Sequence, residues 1–264
     1  MAGSERRAVK LLVSDLDGTL LNEKSKISRE TAETVRKAQN AGIRFAAATG
    51  RSWSTACEIF QNAGIFVPCI LLNGAEFRNQ AGDVIFQEAI TAAAVREVIE
   101  MIRKRSLDLE VITDKGEFST NTQKCQKALE FSEFERRKDA DIKVFKIFAF
   151  SKTPEEVKNC KKELMLWTKL SVTSSAEWNI EITSEKAQKG RMLEKVMEFY
   201  QISKEEVVVF GDGCNDESMF RMFPHSCAMK NAEPLICELA EKVIDSNRNH
   251  GVAKEINKII QGGV

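Results

Sequence analysis

Asp15-Leu16-Asp17-Gly18-Thr19 places two carboxylates two positions apart, directly after the apolar run Lys10-Leu11-Leu12-Val13-Ser14. Like charges held that close are unfavourable without a counter-charge, and a hard, oxygen-seeking cation such as Mg²⁺ is the natural one. Gly18 permits a sharp turn out of the strand. A calcium loop is the competing pattern, but it needs an acidic residue where Thr19 stands. A plain acidic surface turn would not normally follow so apolar a run.

Gly211-Asp212-Gly213-Cys214-Asn215-Asp216 follows a second apolar run, Val207-Val208-Val209-Phe210, and offers two more carboxylates. If the two runs are neighbouring parallel strands, Asp212 comes near Asp15 and Asp17, the ligand set that a magnesium-phosphate site requires. Taken alone, the segment also reads as a tight glycine turn with Asn215 or Asp216 capping a helix. Thr49-Gly50-Arg51 ends a third apolar run, so a hydroxyl and backbone N–H groups can face an anion there. Lys189-Gly190 opens a helical stretch. On its own Lys189 is a solvated side chain; directed into the carboxylates, its ammonium offsets their charge and binds a phosphoryl oxygen.

These residues need elements that bring them together. Val9 to Ser14, Ile43 to Ala48 and Cys69 to Leu72 read as buried parallel strands, each ending at a polar or glycine-containing turn. Between the first two, Ser28 to Asn40 spaces Thr31, Val35 and Ala38 on one helical face and stops at Gly42, completing a βαβ unit. The same style returns with a helix from about Gln188 to Tyr200, a strand from Glu206 to Phe210, a helix beginning near Asn215, and strands Ser226 to Met229 and Lys242 to Ile244. The fold class is α/β: a Rossmann-like, doubly wound parallel sheet built from residues 1–80 and 186–264, with an α+β domain, 81–185, inserted. The insert has strand-like runs at Asp108 to Thr113, Ile142 to Phe150, Lys169 to Thr173 and Trp178 to Ile182, and helices near 91–105 and 154–167. Its phenylalanines Phe118, Phe131, Phe134, Phe145, Phe148 and Phe150 read as core rather than as a ligand platform.

Lys plus Arg number 39 and Asp plus Glu number 39, so there is no net field to gather nucleic acid or an anionic membrane. A small ligand is the expected partner. The cysteines, Cys57, Cys69, Cys125, Cys160, Cys214, Cys227 and Cys237, are odd in number, scattered and without a C-x-x-C pair, which reads as reduced, mostly buried thiols of a cytoplasmic protein. The basic start of the chain meets Asp15 and Asp17 far short of a signal or membrane segment. Only His225 and His250 are present, both read as surface or loop residues, so carboxylates and lysines must carry the chemistry. Cys214 reads as a filler thiol rather than a nucleophile.

Taken in order, Asp15-Leu16-Asp17-Gly18-Thr19, Thr49-Gly50-Arg51, Lys189-Gly190 and Gly211-Asp212-Gly213-Cys214-Asn215-Asp216 resemble the four motifs of the haloacid dehalogenase superfamily. Asn73-Gly74-Ala75 after the third strand, an insert between the second and third motifs, and His250-Gly251-Val252-Ala253 near the end resemble its Cof-type subfamily. Two departures stand out: Gly213-Cys214 replaces a serine-containing pair, and no Pro-Gly precedes Lys189.

The resemblance implies a Mg²⁺-dependent phosphatase of small phosphorylated metabolites, sugar phosphates first. Asp15 would be the nucleophile and a metal ligand, and Asp17 the acid/base, holding Mg²⁺ through its main-chain carbonyl. Asp212 would be the third protein ligand, supported by Asp216. Leu16, Thr49, Gly50, Lys189 and Asn215 would hold the phosphoryl group, with Arg51 and Asn73 at the substrate. The insert would be a C2-type cap, and the protein a monomer or weak homo-oligomer. A phosphomutase or phosphotransferase, and a non-catalytic sensor of phosphometabolites, are the competing readings. Intact Asp15, Asp17, Lys189 and Asp212 argue against the sensor.

Overall fold

A computed structural model describes residues 8–262 apart from 106, 124, 126–127, 138–141, 168 and 175; the basic start of the chain therefore lies outside the described residues. The chain opens with β1 (Leu11–Ser14), α1 (Arg29–Asn40), β2 (Arg44–Ala48), α2 (Trp53–Ala63), β3 (Cys69–Leu71), β4 (Glu76–Arg78) and β5 (Val84–Gln87). Next come α3 (Ala92–Arg103), β6 (Asp108–Thr113), β7 (Gly116–Ser119), β8 (Leu129–Glu130), α4 (Phe131–Arg136), β9 (Val144–Phe150), α5 (Pro154–Trp167), β10 (Ser171–Thr173) and β11 (Asn179–Thr183). The last stretch is α6 (Lys189–Tyr200), β12 (Val207–Gly211), α7 (Glu217–Met222), β13 (His225–Met229), α8 (Pro234–Leu239), β14 (Lys242–Ile244) and α9 (Gly251–Ile260). Two compact units result, one of residues 1–86 with 188–264, the other of residues 87–187.

The first unit carries an eight-stranded sheet in the order β14-β13-β12-β1-β2-β3-β4-β5. From β14 through β3 every pairing is parallel, and β4 adds to β3 antiparallel. All residues of β1 and β12 are buried. Parallel strands covered by helices on both faces show such unbroken apolar runs instead of alternation. Burying a side chain the size of Leu11, Leu12 or Val13, all fully inaccessible, contributes about 1.5–3 kcal/mol each. The α1 helix starts where the Ser28 hydroxyl accepts the Thr31 N–H, and it buries Thr31, Ala32, Val35 and Ala38. After it the chain turns through Gly42 at φ +84°. The sheet changes direction of winding at β1, which pairs with β12 on one side and β2 on the other. Ligands of such sheets bind outside the carboxyl ends of the strands at that switch point.

The second unit is a six-stranded sheet, β10-β11-β9-β6-β7-β8, antiparallel except for the short β7–β8 pairing. Leu109 and Val111 of β6, Ile147 and Ala149 of β9, and Ile180 and Ile182 of β11 form one core with Val95, Val98 and Ile102 of α3 and Val157, Cys160 and Leu164 of α5. That core has the alternate-residue spacing of a sheet with helices on one face.

Several expectations need correction. The short strands β4 and β5 extend the first sheet; β4, Glu-Phe-Arg, is mixed in polarity, and the apolar Val84-Ile85-Phe86 of β5 is exposed or only half-buried. The helix expected near Asn215 is α7; a 3₁₀ turn over Cys214–Asp216 precedes it, because the Asp216 carboxylate folds the loop back on itself. His225 opens a strand with its side chain partly exposed, as the surface reading has it. Only Cys69, Cys160 and Cys227 are buried, Cys214 is exposed and the other three lie between, so the thiols are free but not mostly buried. Phe134 and Phe148 are only partly covered, whereas Phe118, Phe131, Phe145 and Phe150 are buried.

Candidate active site

Strand register determines which motifs meet. Ser14 at the end of β1 is opposite Phe210 of β12 and Ala47 of β2. The next residue out on β1 is Asp15, whose N–H donates to the Phe210 carbonyl at 3.0 Å, continuing the ladder by one step. Asp212 and Thr49 therefore leave the neighbouring strands beside it. The chain beyond Asp15 turns through Gly18 at φ +82°, and a Cβ there would meet Asp212 Oδ2 at 2.1 Å. Thr19 Oγ1 donates to Asp212 Oδ1 at 2.6 Å, and Asn231 Nδ2 donates to the Gly18 carbonyl at 2.9 Å, so both ends of the turn are held.

Lys189 is the first residue of α6 and is fully inaccessible. Its Nζ donates to Asp15 Oδ1 and Asp216 Oδ1, each at 2.6 Å. Gly190 lets α6 come this close: a Cβ there would sit 2.5 Å from the Ser218 carbonyl oxygen. Asp216 Oδ2 accepts the N–H groups of Asp212 and Gly213 at 2.9 and 3.1 Å. Burial opposes the charge on Lys189, yet Asp15 and Asp216 together hold the ammonium above the ordinary lysine value.

Asp15, Asp212 and Asp216 each present an oxygen within 4.8 Å of the others. Burial pushes the Asp15 carboxyl well above its usual value, with Lys189 pulling the other way and Asp216 and Asp212 adding to the rise. Burial likewise pushes Asp212 up to about 6, against the Thr19 hydrogen bond. Three carboxylates thus share one buried ammonium, an excess of negative charge that a cation would relieve. The donor set is all oxygen, which suits a hard divalent ion. Asp15 Oδ2 and Asp212 Oδ2 receive no hydrogen bond among the described residues, whereas both oxygens of Asp216 are engaged. Asp15 and Asp212 are accordingly the carboxylates with a free oxygen for a cation, and Asp216 holds Lys189 and the loop in place.

The Asp17 side chain is half exposed and is turned to Arg51, which donates Nε to Oδ2 at 2.7 Å and Nη2 to Oδ1 at 2.6 Å. The two-pronged bond raises the Arg51 guanidinium further above its already high value. Thr49 is buried and its hydroxyl accepts the Arg51 N–H at 3.2 Å. Asn73 adopts the left-handed region at φ +58°, donates its N–H to the Thr49 carbonyl, and accepts Asn215 Nδ2 on Oδ1 at 3.2 Å. Gly50 lies under it, since a Cβ there would be 2.9 Å from Asn73 Oδ1. Leu16 begins the turn after Asp15 with its side chain fully buried.

All the motif residues therefore gather at the carboxyl ends of β1, β2, β3 and β12 with the start of α6. Sequence reading missed Thr19 and Asn231 as anchors of the turn. Asn231 follows β13, and its place at one more strand end is the signal that could have found it. Cys214 sits on the same loop, with Sγ donating to Glu233 Oε2 at 2.7 Å; that hydrogen bond and partial burial push the thiol up to about 11, so it is not a nucleophile near neutral pH.

A family model described as haloacid dehalogenase-like hydrolase matches residues 12–256. The chain is 29% identical to 5-amino-6-(5-phospho-D-ribitylamino)uracil phosphatase YwtE of Bacillus subtilis, over 96% of this chain and 99% of that protein. It is 28% identical to Phosphatase YwpJ of the same organism, over 96% of this chain and all of the other. A solved haloacid dehalogenase-like hydrolase from B. subtilis superposes with a TM-score of 0.84 at 28% identity, covering 94% of this chain and 99% of its own.

Proposed function

Because the chain belongs to the haloacid dehalogenase-like hydrolases, we propose that it is a Mg²⁺-dependent phosphatase of small phosphorylated metabolites that works through a phosphorylated Asp15. The observation that carries this reading is the cluster of Asp15, Asp212 and Asp216 around the buried Lys189, two of whose carboxylates keep an oxygen free. Phosphate monoesters resist attack because their own charge repels nucleophiles, so a site must supply positive charge and alignment. Mg²⁺ held by Asp15, Asp212 and the Asp17 carbonyl would supply part of that charge.

The chain's own groups do the rest. Lys189 restrains the Asp15 carboxylate and offers positive charge to a phosphoryl oxygen. Thr49, Asn215 and the backbones of Leu16 and Gly50 surround the remaining oxygens. An Asp15 oxygen bonds to phosphorus as the ester P–O bond breaks, and the departing oxygen takes a proton from Asp17. Water then gives its proton to Asp17 and attacks phosphorus, the Asp15–phosphorus bond breaks, and inorganic phosphate leaves. Asp17 must exchange Arg51 for the leaving oxygen to act as the acid. The inserted unit is the C2-type cap of this scheme.

Sugar and polyol phosphates are the first substrates to try, a choice supported by the ribityl phosphate in the name of the relative YwtE. Free thiols support action in the cytoplasm and balanced charge supports a small ligand rather than nucleic acid; the protein is taken as a monomer or weak homo-oligomer. The test is inorganic phosphate release from phosphorylated sugars, polyols, nucleotides and cofactors, with Mg²⁺ and with EDTA. Metal-dependent release is expected. Transfer to a second hydroxyl without free phosphate would replace hydrolysis by a mutase reaction, and no turnover of any compound would reject the proposal.

A further inference from the structure

Beside the Asp17–Arg51 pair lies a cleft of about 550 Å³ formed wholly within the first unit, a size typical of small-molecule sites. Its walls are the loop Lys24, Ser25, Lys26 and Ile27 on one side and, on the other, Arg51 with Thr55, Glu58 and Asn62 of α2. The loop is a defined structure. Asn22 Oδ1 accepts the N–H groups of Lys24 and Lys26 at 2.9 and 3.2 Å, Asn22 donates its own N–H to the Lys26 carbonyl at 3.0 Å, and Ser25 takes a left-handed conformation at φ +52°. Lys24 and Lys26 are thereby held at the rim, and neither ammonium forms an ion pair among the described residues.

Arg51 joins this cleft to the catalytic carboxylates. A guanidinium has five N–H donors in a rigid fork, and Asp17 takes two of them. The remaining three have no partner among the described residues. With the Arg51 charge taken up by Asp17, Lys24 and Lys26 against the one carboxylate of Glu58 leave the cleft net positive. Ile27, Ile59 and Ala63 give it an apolar patch, and Ser25, Thr55 and Asn62 give it neutral hydrogen-bonding groups.

We infer that this cleft is a second anion subsite, selecting substrates that carry a further phosphate or carboxylate group besides the phosphoryl group that is cleaved. The inference rests on the phosphatase reading above. It deepens that reading by naming a substrate class: bisphosphates and phosphorylated acids, held at the remote end by Lys24, Lys26 and the outer N–H groups of Arg51. A remote anion bound there fixes the reacting end more firmly than the phosphoryl group alone can.

The test uses matched pairs that differ in the second anion and in reach: 3-phosphoglycerate against glycerol 3-phosphate, and fructose 1,6-bisphosphate against fructose 6-phosphate. Binding is measured calorimetrically, with Mg²⁺, to the Asp15→Asn protein, so that turnover does not enter. In at least one pair the doubly anionic member should bind about tenfold more tightly, and Lys24→Gln/Lys26→Gln in the same background should abolish that preference. Both lysines are exposed, so the fold should survive, and circular dichroism checks it. Equal affinity within both pairs, no binding at all, or a preference that survives the lysine substitutions would each overturn the subsite. p-Nitrophenyl phosphate, which has no second anion, tests the phosphatase reading separately in the unaltered enzyme. A preference abolished by the lysine changes upholds the subsite even if that ester is not hydrolysed.

Discussion

Lys189 in the first unit and Lys146 in the inserted one are both buried ammonium groups bonded to carboxylates, at 2.6 and 2.7 Å. Their surroundings differ. Lys146 of β9 is bonded to Glu181 of the adjacent β11, and its charge also acts on the partly buried Glu110 of β6. Lys189 lies between Asp15 and Asp216 with Asp212 close by, and negative charge is left over. A buried one-to-one pair is a structural feature, often no better for stability than an apolar one. A buried cluster that does not cancel is expensive to keep unless something binds to it, and uncompensated charge of this kind marks functional sites. The same contrast holds for the exposed face of the site, where Asp17 is paired one-to-one with Arg51 and is not part of the excess.

The sharpest way to break the contrast is Asp15→Asn, which should lower phosphate release by about 10⁴-fold or more while leaving the circular dichroism spectrum unchanged, because a neutral amide is no nucleophile. Substantial turnover in folded, non-deamidated protein would remove Asp15 from the chemistry.

Next in size are the two lysines. Lys189→Met and Lys146→Met should each destabilise by about 3–5 kcal/mol in urea titrations, because each leaves buried carboxylate charge without its ammonium. MgCl₂ should recover part of the loss only for Lys189→Met, where the cation can replace the missing charge. Equal recovery in both variants would erase the difference between the regions.

Two glycines make a gentler comparison. Gly18→Ala puts a Cβ 2.1 Å from Asp212 Oδ2, whereas Gly116→Ala in the insert meets nothing nearer than Leu129 Cδ1 at 3.9 Å. Both positions have positive φ, so each substitution should cost about 1–2 kcal/mol in backbone strain. Gly18→Ala should also lower kcat by roughly 10²-fold, since it displaces a proposed ligand, and a normal kcat would separate the turn from catalysis.

The smallest effect expected is one of pH. Asp212 is pushed up to about 6 in the folded protein, above its ordinary value near 3.9. Metal-free folded protein therefore binds more protons than the unfolded chain across that interval. The associated stabilisation is complete below about pH 4 and is lost as pH rises through about 6. Divalent cation opposes the loss, so the Tm rise on adding Mg²⁺ should be larger at neutral to alkaline pH than near pH 5. An equal rise at both would argue that the ion binds away from Asp212.

How much of this was legible in the chain follows from what local pattern encodes. The unbroken runs Leu11-Leu12-Val13 and Val207-Val208-Val209-Phe210 identify strands buried on both faces, and the aspartates just beyond them mark strand ends. The strands β4, β7 and β8 left no such trace, being two to four residues long and mixed in polarity, and the apolar run of β5, Val84-Ile85-Phe86, is not buried as those of β1 and β12 are. The same brevity hid α8, six residues opened by Pro234.

The sequence by itself determined the residue types, the order of the motifs and the strand ends that carry them, because each of these is a local property of side chains and their spacing. Only the tertiary structure decided who pairs with whom. Lys189 reaches Asp15 across 174 positions and Asp216 across 27. Arg51 takes Asp17 across 34, and Thr19 takes Asp212 across 193. Those choices are set by the register that places Ser14 between Ala47 and Phe210, and hydrogen bonds and ion pairs depend on tenths of an ångström that no local pattern specifies. The division between a carboxylate with a free oxygen, as in Asp15 and Asp212, and one already committed, as in Asp216, exists only once the strands are side by side.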